Sequence, residues 1–215
     1  MNLPCIYPII DLGYFATDKD PLSKISDFAE DLMSGGATLI QLRDKRGDAL
    51  SSLSYARELR RITRNRAQLI INDRADLALA ADADGVHLGQ DDLPPAVIRE
   101  IFAEVEEGKE KRRLWIGFST HNLDQVRQAN SMPVDYVAVG PVFGTSSKAK
   151  PDPVVGLEGV RQARQETTKP LVAIGGITRS NCLGVREAGA DSVAVISDLL
   201  ESPVKAVEEF LRILG

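Results

Sequence analysis

Residues 171–197 read LVAIGGITRSNCLGVREAGADSVAVIS, and this stretch decides the fold. Two apolar runs, LVAIGG (171–176) and SVAVIS (192–197), flank RSNCLGVREAGA (179–190), whose spacing is helical. Runs with no polar face of their own fit strands buried on both sides, which is the signature of a parallel sheet covered by helices. Working outward, six more β-branched runs occupy 5–10, 37–43, 68–73, 85–90, 114–120 and 136–142. Between them, SDFAEDLMSGG (26–36) sets Phe28, Leu32 and Met33 on one stripe and ends on Gly35. The segment DALSSLSYARELRRITRNR (48–66) does the same with Leu50, Leu53, Leu59 and Ile62, its basic residues facing outward. PPAVIREIFAEVEEG (94–108) opens on proline and closes on glycine, the expected asymmetry of a helix, and SPVKAVEEFLRIL (202–214) repeats the pattern.

Eight strand–helix alternations in 215 residues predict an α/β fold, a single-domain (β/α)8 TIM barrel over residues 1–215. An open doubly wound sheet would carry G-x-G-x-x-G after its first strand, and that fingerprint is absent. GPVFGTSSK (140–148) lacks the spacing of a P-loop. With 43% hydrophobic but only 5% aromatic residues, the core must be mostly Val, Ile, Leu and Ala. A net charge of -5 argues against a generic nucleic-acid or anionic-membrane binder. Cys5 and Cys182 form no C-x-x-C motif, so reduced thiols and a cytoplasmic location are expected. The start, MNLPCIYPIIDLGYF, has no basic leader region, and no apolar run approaches membrane-spanning length. GKEKRRLW (108–115) reads as a solvated turn.

In a barrel, function gathers at the carboxyl ends of the strands, and the polar residues of this chain gather there. Strand alternation puts Gln41, Arg43 and Lys45 on one side, a cationic rim for phosphate oxygens or a salt-bridged strand end. Asp73 and Asp92 follow the third and fourth strands, where two carboxylates suit a divalent ion shared with substrate phosphates. Each is equally open to reading as a helix cap. The fifth strand ends on Gly117–Asn122, which sets Ser119 or His121 within reach of a ligand with Asn122 as a cap, while His87 reads as a satisfied interior histidine. The loop Gly140–Lys148 places Thr145, Ser146 and Ser147 before Lys148, a hydroxyl-rich phosphate wrap, and Pro151 and Pro153 stiffen it as a lid. Gly175, Gly176 and Ser197 lie where barrels commonly bind phosphate. Neither histidine has zinc-ligand spacing, and no serine sits in G-x-S-x-G.

Taken in order, QLRDK (41–45), INDRADLALAADADGVHLGQDDLP (71–94), GFSTHN (117–122), VGPVFGTSSK (139–148) and VAIGGI (172–177) resemble the thiamine-phosphate synthase family over nearly the whole chain. The resemblance implies a transferase that joins hydroxymethylpyrimidine diphosphate to a thiazole phosphate and releases pyrophosphate. It implies pyrimidine diphosphate contacts from Gln41, Leu42, Arg43, Asp44, Lys45, Asn72, Ser119 and Lys148. Asp73 and Asp92 match the Mg2+ ligands, and Thr145, Ser146, Ser147, Gly176, Ile196 and Ser197 match the thiazole phosphate site. Catalytic weight falls on Arg43, Lys45, Lys148 and Ser119. The family also implies a homodimer.

Gly144, Ser147 and Asp198 depart from the family pattern, and the first strand, Tyr7 to Asp11, lacks its usual threonine. Three cations, with Asp73, Asp92 and Mg2+ summing to zero, would face a diphosphate of about -3. A thiazole tautomerase-like relative would carry histidine where this chain has Pro141. A non-catalytic thiazole phosphate-binding relative would be expected to have lost a carboxylate or the loop lysine.

Overall fold

A computed structural model of the chain describes residues 3–45, 47–106, 113–145 and 152–215. Eight parallel strands close a barrel in sequence order: β1 (Ile6–Asp11), β2 (Leu39–Arg43), β3 (Gln68–Asn72), β4 (Gly85–Leu88), β5 (Trp115–Thr120), β6 (Tyr136–Val139), β7 (Leu171–Ile174) and β8 (Ser192–Val195). Helices α1 (Pro21–Ser34), α2 (Ala49–Thr63), α3 (Ala75–Ala80), α4 (Pro95–Glu106), α5 (Leu123–Asn130), α6 (Gly156–Glu166), α7 (Cys182–Glu187) and α8 (Pro203–Leu214) alternate with the strands. The apolar runs of the sequence are therefore strands covered on both faces, as a parallel sheet requires. Residues such as Tyr7, Leu39, Ile70 and Val172 fill the barrel interior. Their neighbours Ile6, Ile40, Leu69 and Ile71 pack in the larger cluster shared with the helices. No helix among the described residues is long and apolar enough to cross a membrane.

β3, β4, β6, β7 and β8 stop short of their apolar runs at the carboxyl end, and after β3 and β7 the backbone turns there. Asp73 leaves β3 with φ +63°, and Gly175 and Gly176 leave β7 with φ +103° and +62°. Asp73 does not cap α3, whose N-cap is Arg74 with no side-chain bond. Asp92 does not cap either: its Oδ2 accepts the Gly89 N–H at 2.6 Å. Asn122 does cap α5, accepting from the Gln125 N–H at 3.0 Å.

The α2 stripe differs from the reading that included Leu50, which is 81% exposed. Leu59 and Ile62 are buried as expected and Leu53 packs partly buried against the core, while Ser52, Ala56 and Thr63 complete the buried face and Asp48 caps the helix. Of the charged turn at 108–115, residues 108–112 lie outside the described ones. Arg113 pairs with Asp135 at 2.9 Å and Leu114 is buried, so its end is not a simple solvated turn.

Three clamps close the opposite end of the barrel in a repeating pattern. Asp84, just before β4, accepts the Leu69 N–H of β3 at 2.8 Å and Arg60 of α2 at 2.9 Å. Asp135, just before β6, accepts the Ile116 N–H of β5 at 2.8 Å and Arg99 of α4 at 2.6 Å. Asp191, just before β8, accepts the Leu171 N–H of β7 at 2.8 Å and Arg164 of α6 at 2.9 Å. Each carboxylate joins two neighbouring strands to a helix and satisfies groups that burial would otherwise leave unpaired.

Candidate active site

A cavity of about 520 Å³ opens at the carboxyl ends of the strands. Gln41, Arg43, Lys45, Asn72, Asp73 and Asp92 line it from β2, β3 and the turns that follow β2, β3 and β4. Ser119 and Thr145 line it from β5 and the loop after β6, and Gly176, Ile196 and Ser197 from the ends of β7 and β8. Leu42 and Asp44 do not line it. Leu42 packs among the residues between barrel and helices, since strand alternation turns it away from Gln41 and Arg43. Asp44 holds the start of α2 through the Gly47 N–H at 2.7 Å and the Ser52 hydroxyl at 2.7 Å. Ser146, Ser147, Lys148 and Pro151 lie outside the described residues.

Both described cations of the rim are in ion pairs. Arg43 pairs with Asp11 at the end of β1, and the Lys45 Nζ lies 2.5 Å from Asp73 Oδ2. Asp11 was missing from the sequence reading because the first apolar run ends one residue before it. Strand alternation from Tyr7 through Ile9 points to it. Counting its charge lowers the expected balance facing a diphosphate from +3 to about +2. Asp92 faces Asp73. Burial, above all, raises the Asp92 carboxyl; the Asp73 charge adds to this, while the Gly89 N–H and Lys45 oppose it. Two hard carboxylates with an ammonium against them form a place for positive charge. Asp73 also keeps a left-handed backbone that L residues rarely adopt, local strain that places its carboxylate at the mouth.

Below this rim, the Asn72 side-chain nitrogen is buried with no partner among the described residues, and Asn72 lines the cavity. An unpaired amide donor there costs stability unless a ligand accepts from it. Next to Ser197 but outside the lining, Asp198 accepts from Arg179 N and Nε at 2.9 and 3.0 Å, which holds its carboxylate in an ion pair. A side chain at Gly176 would put its Cβ 2.5 Å from the Gly144 carbonyl, so only glycine lets the two loops approach this closely.

The floor is a hydrogen-bonded chain that the sequence reading largely missed. Gln41 Nε2 donates to the Tyr7 hydroxyl at 3.0 Å, and the Tyr7 and Tyr136 hydroxyls are 2.9 Å apart. His87 Nδ1 lies 3.0 Å from the Tyr136 hydroxyl, and its Nε2 lies 2.8 Å from Ser119 Oγ. His87 is thus the satisfied interior histidine that its position in β4 suggested, yet it also lines the cavity. Burial pushes the phenols of Tyr7 and Tyr136 above the ordinary tyrosine range. His121, also on the wall, has Nδ1 2.7 Å from the Gly140 carbonyl.

Gly117 makes room for this chain. A Cβ there would lie 2.1 Å from Tyr136 Cζ and 2.5 Å from His87 Nδ1. Gly117→Ala is expected to displace both rings, cost about 1–3 kcal/mol of stability by overpacking, and weaken ligand binding at Ser119. Urea unfolding and ligand titration of the same variant check this, and unchanged affinity would remove the chain from the binding surface.

A family model described as thiamine monophosphate synthase matches residues 13–199. The thiamine-phosphate synthase of Koribacter versatilis is 50% identical over 214 residues, covering 100% of this chain and 97% of the relative. The solved thiamine phosphate pyrophosphorylase of Pyrococcus furiosus superposes with a TM-score of 0.82 at 33% identity, covering 98% of this chain and 95% of that one. A geranylgeranylglyceryl phosphate synthase of Thermoplasma acidophilum, at 16% identity and a TM-score of 0.69, shares the fold alone; it covers 99% of this chain and 94% of that one.

Proposed function

The chain belongs to the thiamine monophosphate synthase family, and from that membership we propose how its barrel mouth makes thiamine phosphate from a pyrimidine diphosphate and a thiazole phosphate. The enzyme is a transferase of this type. The observation that carries the residue assignment is the pairing of Arg43 and Lys45 with Asp11 and Asp73 around one cavity that also holds the Asn72 amide nitrogen, unpartnered among the described residues. Cations held this way are preorganised rather than free, so they meet a diphosphate with little rearrangement.

In the proposed step, the bond between the pyrimidine methylene carbon and the diphosphate oxygen breaks, and its electron pair leaves with the diphosphate. The electron-rich aminopyrimidine bears the resulting positive charge. The thiazole nitrogen then forms the new carbon–nitrogen bond with its lone pair. Arg43 and Lys45 bind oxygens of the leaving group, and Lys148 joins them on the strength of the resemblance. Asn72 donates to the same substrate. Gly176, Ile196, Ser197 and Thr145, together with Ser146 and Ser147, take the thiazole phosphate. No protein nucleophile or strong base has a step to perform, and positioning supplies the remainder.

Asp73 and Asp92 fit Mg2+ by donor chemistry: hard oxygens, two in number, beside a surface where substrate phosphate would complete the shell. Among the described residues no group of three or more His, Cys, Asp or Glu side chains competes as a metal centre. When bound there, Mg2+ would neutralise charge on the departing diphosphate. The two free thiols, Cys5 and Cys182, support a reducing, cytoplasmic setting, and a homodimer is expected from the family resemblance.

The test mixes protein, pyrimidine diphosphate, thiazole phosphate and Mg2+, with and without EDTA. Thiamine phosphate is read as thiochrome fluorescence and pyrophosphate separately. Both products are expected, and both should vanish with EDTA. Binding of thiazole phosphate by folded protein that forms neither product would overturn the reading.

A further inference from the structure

We infer that Tyr136 and His87 act as positioning residues that lock Ser119 as a hydrogen-bond donor into the cavity. Three contacts join Tyr7 to Tyr136, Tyr136 to His87 and His87 to Ser119, and each needs one proton. The two phenols, a neutral imidazole and the serine together bring four. One proton is therefore left over, and its location decides what the floor offers a ligand.

Gln41 fixes the direction. Its amide nitrogen can only donate, so the Tyr7 oxygen accepts from it at 3.0 Å and passes its own proton to Tyr136. Tyr136 then donates to His87 Nδ1, which must be the bare nitrogen, and the ring proton sits on Nε2 and points at Ser119 Oγ. The serine accepts, and its own proton is the spare one. Run the other way, the chain would leave the Tyr7 proton as the orphan on a side chain only 1% exposed. That orphan donor would be unpaired beneath the cavity floor, which is the costly outcome. Ser119 is less buried and lines the cavity, so a ligand can take its proton.

The same direction leaves the Gln41 carbonyl oxygen as the end of that amide without a protein partner among the described residues. An acceptor at Gln41 and a donor at Ser119 match a ring that presents an amino group and a ring nitrogen, such as an aminopyrimidine. That ligand assignment rests on the proposed function, whereas the tautomer does not. Tyr136 does not line the cavity, so any effect it has on binding must pass through its neighbours.

His121 supplies an internal contrast. Its Nδ1 faces the Gly140 carbonyl, which only accepts, so its proton belongs on Nδ1. The chain has two histidines, His87 and His121, and they are expected in opposite neutral tautomers. Nitrogen NMR of histidine-labelled, ligand-free protein at alkaline pH reads this directly, with His87→Gln assigning the signals. A bare Nδ1 and protonated Nε2 on His87 are expected; the reverse pattern would overturn the proposal whether or not the enzyme makes thiamine phosphate.

The second arm measures affinity and turnover. Tyr136→Phe is expected to lose the His87 signature and to raise the KM and Kd of the pyrimidine diphosphate about fivefold to tenfold, the worth of one hydrogen bond. Its kcat and its affinity for thiazole phosphate should move much less. His87→Gln, which keeps a donor toward Ser119, is expected to retain more pyrimidine affinity than His87→Leu. Equal losses in those two variants, or a uniform loss for both substrates in Tyr136→Phe, would mean a structural role only and overturn the positioning role.

Discussion

Replacing Asp73 with alanine is expected to lower turnover by about 100- to 1,000-fold at limiting Mg2+, the scale seen when one transition-state charge partner is removed. The Mg2+ concentration for half-maximal rate should rise in parallel. Two features of the free protein set this size. Asp73 is the partner of Lys45, so its removal frees that ammonium as well as deleting an oxygen ligand. It also relieves Asp92 of a facing negative charge, leaving one carboxylate where there were two. The backbone at φ +63° disfavours alanine by about 1–2 kcal/mol, so Asp73→Asn is the better comparison, because asparagine tolerates that conformation. A metal titration identical to the parent in Asp73→Asn would remove this residue from the ligand set.

Asp135→Ala carries the largest expected effect on stability. Asp135 accepts from the Ile116 N–H, from Arg99 and from Arg113, and its side chain is 12% exposed. Truncation leaves a strand amide and an arginine without their acceptor, a loss on the order of 3 kcal/mol. For a chain of this size that lowers the melting temperature by roughly 6–12 °C. The same change at Asp191, whose side chain is 46% exposed, should cost less. Urea midpoints for the two variants test the ordering, and equal small losses would mean that the clamps do not hold the barrel.

The barrel was legible because eight short apolar runs alternate with helical segments, and the open doubly wound sheet that shares this pattern would carry a glycine fingerprint that the chain lacks. Strand alternation likewise anticipated Gln41 and Arg43 on one side, whereas Leu42, expected from the resemblance as a substrate contact, turns away from the cavity. The α2 stripe was legible except at its start: Leu50 looks like a core residue by spacing, yet in the first turn of the helix it lies 81% exposed, while Leu59 and Ile62 are buried. The roles of the tyrosines escaped because they come from distant partners. Tyr7 and Tyr136 are 129 residues apart, and nothing local in either strand records that their hydroxyls meet.

The sequence by itself determined the order of strands and helices and the family motifs at the strand ends, since periodicity, capping residues and glycines act over a few neighbouring residues. Only the tertiary structure decided that the rim cations are paired, that Asp73 faces Asp92, and that a chain of hydroxyls runs from Gln41 to Ser119. Those facts depend on which side chains the closing barrel brings within hydrogen-bond distance, and a hydrogen bond or an ion pair is a property of separation in space, not of spacing along the chain.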